Sequence, residues 1–250
     1  MPEKKSTPKN NLMQIVLTVL LVGAAFAIGS MWTELKLTKA GKAGTNQPAQ
    51  NQAAPNGQAA PEQITQLTDE QWQEVLKDPA AVLGKDNAKV TMVEFTDYQC
   101  PFCEKYYTQT YGQIMKDYVE TGKVKYVMRD LPLPFHPFAH AAAEAARCAG
   151  EQEKYVKFHD ELFKNQAAWV AAKDPTDLFS GYAVKLGLKK SGFDSCVKNG
   201  DMKAAVDADL ALAGKVGAGG TPTFFINGKI LVGAQPYSSF KAAIDVALGE

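Results

Sequence analysis

A predicted β-strand that leads into two closely spaced cysteines constrains this chain more than any other feature. Residues 89–95 (KVTMVEF) are apolar and β-branched, as in a buried strand, and Cys100-Pro101-Phe102-Cys103 follows four residues later. The next stretch, to about residue 120, has a helical pattern. The sequence therefore predicts two thiols at the N-terminus of a helix, just beyond the end of a strand.

Cysteines at this position have an identifiable chemistry. Unpaired N–H groups and the helix dipole stabilise a thiolate at a helix N-terminus. We predict that Cys100 is an accessible cap residue and that Cys103 points inward, with Pro101 at the first helical position. The alternative is half of a structural zinc site, which needs two more ligands. The other cysteines, Cys148 and Cys196, are 48 residues apart and the three histidines are scattered, so we predict no metal site.

The remaining elements predict a mixed sheet with helices on both faces. An Asn-Gly pair between two apolar runs indicates an antiparallel hairpin near the C-terminus. An Ala-rich stretch of about 75 residues is too long for a crossover connection and should form a helical subdomain. The predicted elements are a helix at 68–78, a strand at 123–128, the helical stretch at 138–215, strands at 223–226 and 229–232, and a helix at 238–248.

Cys148 and Cys196 both lie in the helical stretch. In an exported protein such cysteines are expected to be paired, and a bridge here would stabilise the subdomain by about 3–4 kcal/mol. A second redox pair is the alternative, but neither residue has a closely spaced cysteine. Before the hairpin, Thr221-Pro222 suggests a special backbone such as a cis peptide bond, with an ordinary edge-strand proline as the alternative.

Three features near the second predicted strand have simpler interpretations. Arg129 and Asp130 are expected to form a solvated pair. Phe135 is expected in the core of the helical insert. His136 and His140 are four residues apart, but no ligand geometry is evident, so we expect neither a metal nor another cofactor.

The N-terminus predicts export. Residues 12–32 carry no charge over 21 positions, which is the length of a transmembrane helix, and Lys4, Lys5 and Lys9 favour a cytoplasmic N-terminus. A cleaved signal peptide is the alternative, since Ala25-Phe26-Ala27 resembles a cleavage site. Either interpretation exports the remainder. The uncharged stretch at 43–61, rich in Ala, Gln, Asn and Pro, predicts a flexible linker.

The predicted organisation is therefore tripartite. Residues 1–38 form a cytoplasmic tail and anchor, residues 39–65 a disordered linker, and residues 66–250 a folded domain with a helical insertion at about 136–215. The whole chain has 27 basic and 27 acidic side chains, which argues against a nucleic-acid partner.

Three stretches, VEFTDYQCPFC, RDLPLPFHPFAHAAAEAARC and GTPTFFING, occur in an order and spacing that resemble a known family. The chain resembles the DsbA-like branch of the thioredoxin-fold thiol:disulfide oxidoreductases over about residues 66–250. The resemblance implies a thioredoxin-like sheet with a helical insertion. It also implies that the Cys148–Cys196 pair is the extra disulfide found in part of that family.

The resemblance assigns roles to single residues. Cys100 would be the partner-facing nucleophile and Cys103 the buried resolving cysteine of a redox-active disulfide. Thr221 would lend its backbone to a bound peptide, and Pro222 would pack beside the disulfide. Glu94 matches a buried acid beneath the active site, which could exchange the proton that the resolving thiol needs.

The implied function is oxidation of cysteine pairs in exported proteins by a membrane-anchored enzyme on the extracytoplasmic side, with a quinone-coupled membrane partner as reoxidant. One departure is Phe102, where strongly oxidising members often carry histidine, so a less extreme redox potential is expected. A reductase or isomerase of the same fold, and a peptide-binding module without catalysis, are the alternatives.

Overall fold

A computed structural model describes residues 65–250, which build a five-stranded sheet in the order β1-β3-β2-β4-β5. Strands β2 and β3 are parallel, and the other neighbouring pairs are antiparallel. This confirms the predicted mixed sheet. The strands are β1 (Ala81–Leu83), β2 (Val90–Thr96), β3 (Val124–Asp130), β4 (Thr223–Ile226) and β5 (Lys229–Val232).

The edge strand β1 was not predicted because its three residues are too few to show a period. The C-terminal hairpin has the predicted bounds. Its turn residues Asn227 and Gly228 have φ values of 45° and 83°, which a two-residue hairpin of this type requires.

The helices account for most of the remaining chain. The helix that begins directly after Cys100, α2, covers residues 101–119 and contains two π-helical stretches, Tyr107–Tyr111 and Met115–Val119. The predicted helical insertion between β3 and β4 is confirmed as α3–α8. The other helices are α1 (Asp69–Val75), α3 (Ala139–Gly150), α4 (Tyr155–Lys164), α5 (Gln166–Val170), α6 (Thr176–Lys185), α7 (Lys190–Asn199), α8 (Lys203–Lys215) and α9 (Tyr237–Leu248).

Alternation along the strands divides the core into two layers. Met92 of β2 faces the same side as Tyr126 of β3 and packs with α2, α9 and most of the insertion. Val93 and Val127 face the opposite side, where they pack with α1 and α8. Glu94 and Thr96 lie on the same face as Met92, so β2 carries two polar side chains into the larger layer.

Two side-chain predictions near β3 are wrong. Arg129 and Asp130 are buried rather than solvated, because Asp209 of α8 pairs with Arg129 and Arg147 of α3 pairs with Asp130. Phe135 is 71% exposed rather than part of the core, because it lies in the loop before α3 and not on a helix.

The predicted anchor at about 12–32 lies outside the described residues, as does the linker apart from residue 65. Among the helices of residues 65–250, none has both the length and the apolar composition needed to cross a membrane.

Candidate active site

The two closely spaced cysteines lie where β2 gives way to α2. Cys100 is the N-cap of α2 and Pro101 is its first residue, so the proline occupies a position that needs no N–H. Both cysteines are free thiols. Cys103 is fully buried, and its Sγ accepts a 3.4 Å hydrogen bond from the backbone N–H of Asp97.

Cys100 is less accessible than predicted. Only 3% of its surface is exposed, because the segment before β4 covers it and its Sγ lies 3.5 Å from the Thr221 carbonyl oxygen. The next residue, Phe102, is 60% exposed. An apolar ring therefore stands on the surface beside a nearly covered sulfur.

The environments of the two thiols shift their pKa values in opposite directions. A hydrogen bond from the Cys103 thiol, assisted by Thr221 and by backbone N–H groups at the start of α2, lowers the pKa of Cys100 to about 6. Burial raises the pKa of Cys103 well above its usual value. At neutral pH the outer sulfur is therefore a thiolate and the inner one a thiol.

The segment before β4 brings Thr221 and Pro222 to the cysteines, 121 residues away along the chain. The Thr221–Pro222 peptide bond is cis. The carbonyl of Pro222 accepts a hydrogen bond from the N–H of Gly233 at 2.8 Å, which ties this segment to the end of β5.

Glu94 lies in the interior, 1% exposed, on the same face of the sheet as α2. Burial raises the pKa of this carboxyl group, although a 2.5 Å hydrogen bond from the Tyr126 hydroxyl to Oε2 acts in the opposite direction. Tyr126 in turn shares a 2.9 Å hydrogen bond with the Tyr106 hydroxyl. A buried acid and two phenols therefore form one polar chain within the larger core layer.

Asp97 and His136 form a second polar group, which was not predicted. The fully buried Asp97 carboxylate bonds to His136 Nδ1 at 2.7 Å and accepts from the backbone N–H groups of Gln99 and Leu133. Because the Asp97 N–H also donates to Cys103, one residue fixes both the inner sulfur and the loop after β3. The sequence signal was the presence of a histidine in the quoted RDLPLPFHPF stretch.

The insertion also reaches the cysteine loop through Gln166, which sequence reasoning missed. Its amide donates to the carbonyl oxygens of Tyr98 and Cys100 at 2.7 and 3.1 Å. The Tyr98 hydroxyl donates to the Tyr155 hydroxyl at 2.8 Å. The Tyr155 hydroxyl in turn lies 3.5 Å from the Asp130 carboxylate. No spacing in the sequence indicates the contacts of Gln166 and Tyr98, because they join residues 57 to 68 positions apart.

The other two cysteines are joined to each other. Cys148 of α3 and Cys196 of α7 form a disulfide with a Cα–Cα distance of 5.8 Å. Within residues 65–250 no group of three or more His, Cys, Asp or Glu side chains is arranged to hold a metal ion. His140 instead bonds to Glu144 and Asp207.

Known proteins show similarity over the same region. A family model described as Thioredoxin matches residues 76–246. Disulfide bond formation protein D of Bacillus subtilis is 30% identical over 184 residues, which cover 67% of this chain and 76% of that protein. The crystal structure of Wolbachia pipientis alpha-DsbA1 has a TM-score of 0.61 and 27% sequence identity, and the match covers 67% of this chain and 90% of that one.

A third similarity is confined to part of a much larger protein. The Na(+)/H(+) antiporter NhaA 1 of Salinispora arenicola is 36% identical over 169 residues, which are 66% of this chain but only 24% of the antiporter. The chain thus spans about a quarter of that relative. The family match and the two other relatives cover the folded part of this chain. The chain therefore belongs to the DsbA-like thiol:disulfide oxidoreductases of the thioredoxin family.

Proposed function

We propose that Cys100 and Cys103 form the redox-active pair of an extracytoplasmic enzyme that oxidises cysteine pairs in exported proteins. One observation carries this proposal: Cys100 caps α2 beside the Thr221 backbone while Cys103 is fully buried in the first turn, and these environments shift the two thiol pKa values in opposite directions. Cys100 is therefore suited to form and release the disulfide with a partner protein. Cys103 is suited to exchange only with Cys100.

The proposed cycle consists of two exchanges. A substrate thiolate attacks the Cys100 sulfur of the Cys100–Cys103 disulfide, and Cys103 leaves as a thiolate. A second substrate thiolate then attacks the substrate sulfur of the mixed disulfide and releases Cys100. The substrate gains a disulfide and the enzyme becomes a dithiol, so a reoxidant must follow. We propose a quinone-coupled membrane protein for that step.

The direction of electron flow follows from the thiolate. Stabilising the Cys100 thiolate stabilises the reduced enzyme, which makes the disulfide form a better oxidant. Phe102 offers no positive charge to strengthen this effect, so we propose an oxidant weaker than those members that carry histidine there. The exposed Phe102 ring and the Thr221 backbone are available to contact an unfolded substrate.

The location is proposed from two features. Residues 12–32 have the length of a membrane anchor, and the Cys148–Cys196 disulfide suits an oxidising compartment. We propose a single-pass anchor with the catalytic domain on the extracytoplasmic side.

Cys100→Ser tests the catalytic assignment. We expect loss of stoichiometric oxidation of a reduced dithiol peptide, measured by mass spectrometry after acid quenching and alkylation. Cys103→Ser is the matched control, because it keeps Cys100 but removes the resolving thiol. When it is offered a single-cysteine peptide as its disulfide with glutathione, Cys100 should attack the peptide sulfur, release glutathione and hold the peptide as a stable mixed disulfide. Full oxidation by Cys100→Ser would contradict the proposal, and peptide binding that survives loss of both cysteines would instead favour a binding module.

The same Cys103→Ser variant tests the location. Mixed disulfides trapped in cells should contain exported proteins, identified by mass spectrometry after release with reductant. Capture of cytoplasmic proteins alone would contradict an extracytoplasmic domain.

A further inference from the structure

Strand β2 contains a buried hydroxyl group, that of Thr96, which has no role in the proposed cycle of disulfide exchange. Thr96 is 2% exposed, and its Oγ1 is fully buried without a hydrogen-bond partner. Burying a hydroxyl without a partner destabilises a fold, and valine would fill the same space without this penalty. A threonine at this position therefore has no explanation in packing.

The hydroxyl lies beside the two groups between which a proton must move. Glu94 and Thr96 are two residues apart on one strand and so point to the same face. The N–H of the following residue, Asp97, donates to Cys103 Sγ, which places that sulfur against the end of β2. Burial raises the pKa of Glu94 and of Cys103, and the nearby Thr96 hydroxyl acts in the opposite direction on both.

We propose that the Thr96 hydroxyl relays a proton between the Glu94 carboxyl group and the Cys103 sulfur. A threonine hydroxyl can accept one hydrogen bond while it donates another, and its hydrogen rotates freely. Thr96 is thus a positioning and relay residue for the leaving sulfur. The inference rests on the proposed function, in which Cys103 is released as a thiolate.

The proton transfer accompanies the first exchange of the proposed cycle. The substrate thiolate forms a new S–S bond with Cys100, the Cys100–Cys103 bond breaks, and its electron pair stays on Cys103. Thr96 passes its hydroxyl proton to that sulfur and takes the proton of the Glu94 carboxyl group. Cys103 ends as a thiol, Thr96 as a hydroxyl and Glu94 as a carboxylate. Reoxidation of the dithiol returns the proton by the same route.

The surroundings of Glu94 suit both of its protonation states. The Tyr126 hydroxyl donates to it and is supported by Tyr106, which compensates a carboxylate after transfer. His159 of α4 also favours the carboxylate, and it is itself paired with Asp160 at 3.2 Å. The titratable groups that face Glu94 from β3, α2, α4 and the β2–α2 loop are Tyr126, Tyr106, Tyr111, Cys103, His159 and Tyr98.

The test compares Thr96→Val with Thr96→Ser in the full chain. The oxidised proteins are reduced by excess 2-mercaptoethanol between pH 4.5 and 8, and each rate is divided by the thiolate fraction of the reagent. We expect the wild-type rate to fall as pH rises and Glu94 loses its proton. Thr96→Val should be slower at the acid end, on the order of 100-fold, with little pH dependence. Thr96→Ser should restore both the rate and the profile.

Two further variants separate the relay from packing. Thr110→Val removes a buried hydroxyl of α2 that bonds to the Gln235 carbonyl, and it should leave the corrected rate unchanged. In a Glu94→Gln background, Thr96→Val should cause no additional slowing, because the relay has lost its donor.

The contradicting results are distinct. A Thr96→Val rate within about twofold of wild type at every pH would overturn the relay, as would a Thr96→Ser variant as slow as Thr96→Val. Failure of the proposed function gives a different result, because the wild-type Cys100–Cys103 disulfide would then not exchange with 2-mercaptoethanol at any pH. That result would contradict the relay as well.

Discussion

At the scale of the residue, burial decides the chemistry of several acids in this protein. Asp130 is fully buried, beside Asp209, and Arg147 donates to its carboxylate. Burial raises the pKa of Asp130 to about 6, and Asp209 adds to the effect although Arg147 opposes it. The same factor, burial, raises the pKa of Glu94, but there the neighbouring side chains are the hydroxyls of Tyr126 and Thr96 rather than a guanidinium.

The shift at Asp130 predicts a pH dependence of stability. In the unfolded chain its pKa is about 3.9, so between pH 4 and 6 the folded protein binds more protons. Its contribution is therefore present below about pH 4 and is lost as pH rises through 6. We expect the unfolding free energy of wild type minus that of Asp130→Asn to fall by up to roughly 3 kcal/mol from pH 4 to pH 7.

Urea denaturation at each pH measures this difference. Asp86→Asn is the matched control, since that carboxylate is exposed on the surface beside Lys125, and its difference from wild type should not follow this course. A difference for Asp130→Asn that grows with pH would show that the carboxylate is better stabilised in the folded state than its burial implies.

At the scale of the element, local chemistry made parts of the fold predictable. The hairpin could be placed to the residue because Asn227-Gly228 satisfies a turn that few other pairs can form. The β2–α2 junction was predictable because an apolar run ends before a proline suited to a helix start. The burial of Arg129 was not predictable, because its partner Asp209 is 80 residues away and no local sequence pattern indicates the pairing.

The candidate site divides in the same way. Cys100, Cys103 and Pro222 lie in short motifs that can be recognised in the sequence. Thr96 and Gln166 belong to no recognisable sequence motif. Only the folding of the sheet and of the insertion brings them to the cysteines. Phe135 was misjudged because an aromatic residue near a helical pattern resembles a core residue until the loop is known.

The Cys148–Cys196 disulfide is the clearest test at this scale, because it joins α3 to α7 within the insertion. Closing a loop of 48 residues should stabilise the fold by about 4 kcal/mol. The variant with both Cys148→Ala and Cys196→Ala should lose that free energy of unfolding in urea and still exchange disulfides through Cys100. A folded double variant without exchange activity would identify this pair as redox-active instead.

At the scale of the whole molecule, the fold brings three distant segments to one place. The β2–α2 junction supplies the cysteines, the segment before β4 covers Cys100, and α5 of the insertion holds the cysteine loop by its carbonyls. The insertion thus does more than enlarge the domain, since Gln166 fixes the backbone from which Cys100 projects.

The redox potential of the Cys100–Cys103 pair depends on this arrangement, because the surroundings of Cys100 set the stability of its thiolate. DsbA combines a cysteine pKa of about 3.5 with a potential of about −120 mV, and thioredoxin combines about 7 with about −270 mV. A Cys100 pKa of about 6 lies between these two values, so we expect the potential of this pair to lie between about −120 and about −270 mV.

The most direct test of the central claim is therefore the equilibrium of the full-length chain with glutathione buffers at pH 7. The fraction of Cys100–Cys103 disulfide is measured by alkylation and mass spectrometry, which also separates it from Cys148–Cys196. We predict a potential between about −120 and about −270 mV, less negative than that of thioredoxin, as an oxidant of exported proteins requires. A value of about −270 mV or below would make the protein a reductase and would contradict the proposed oxidising role.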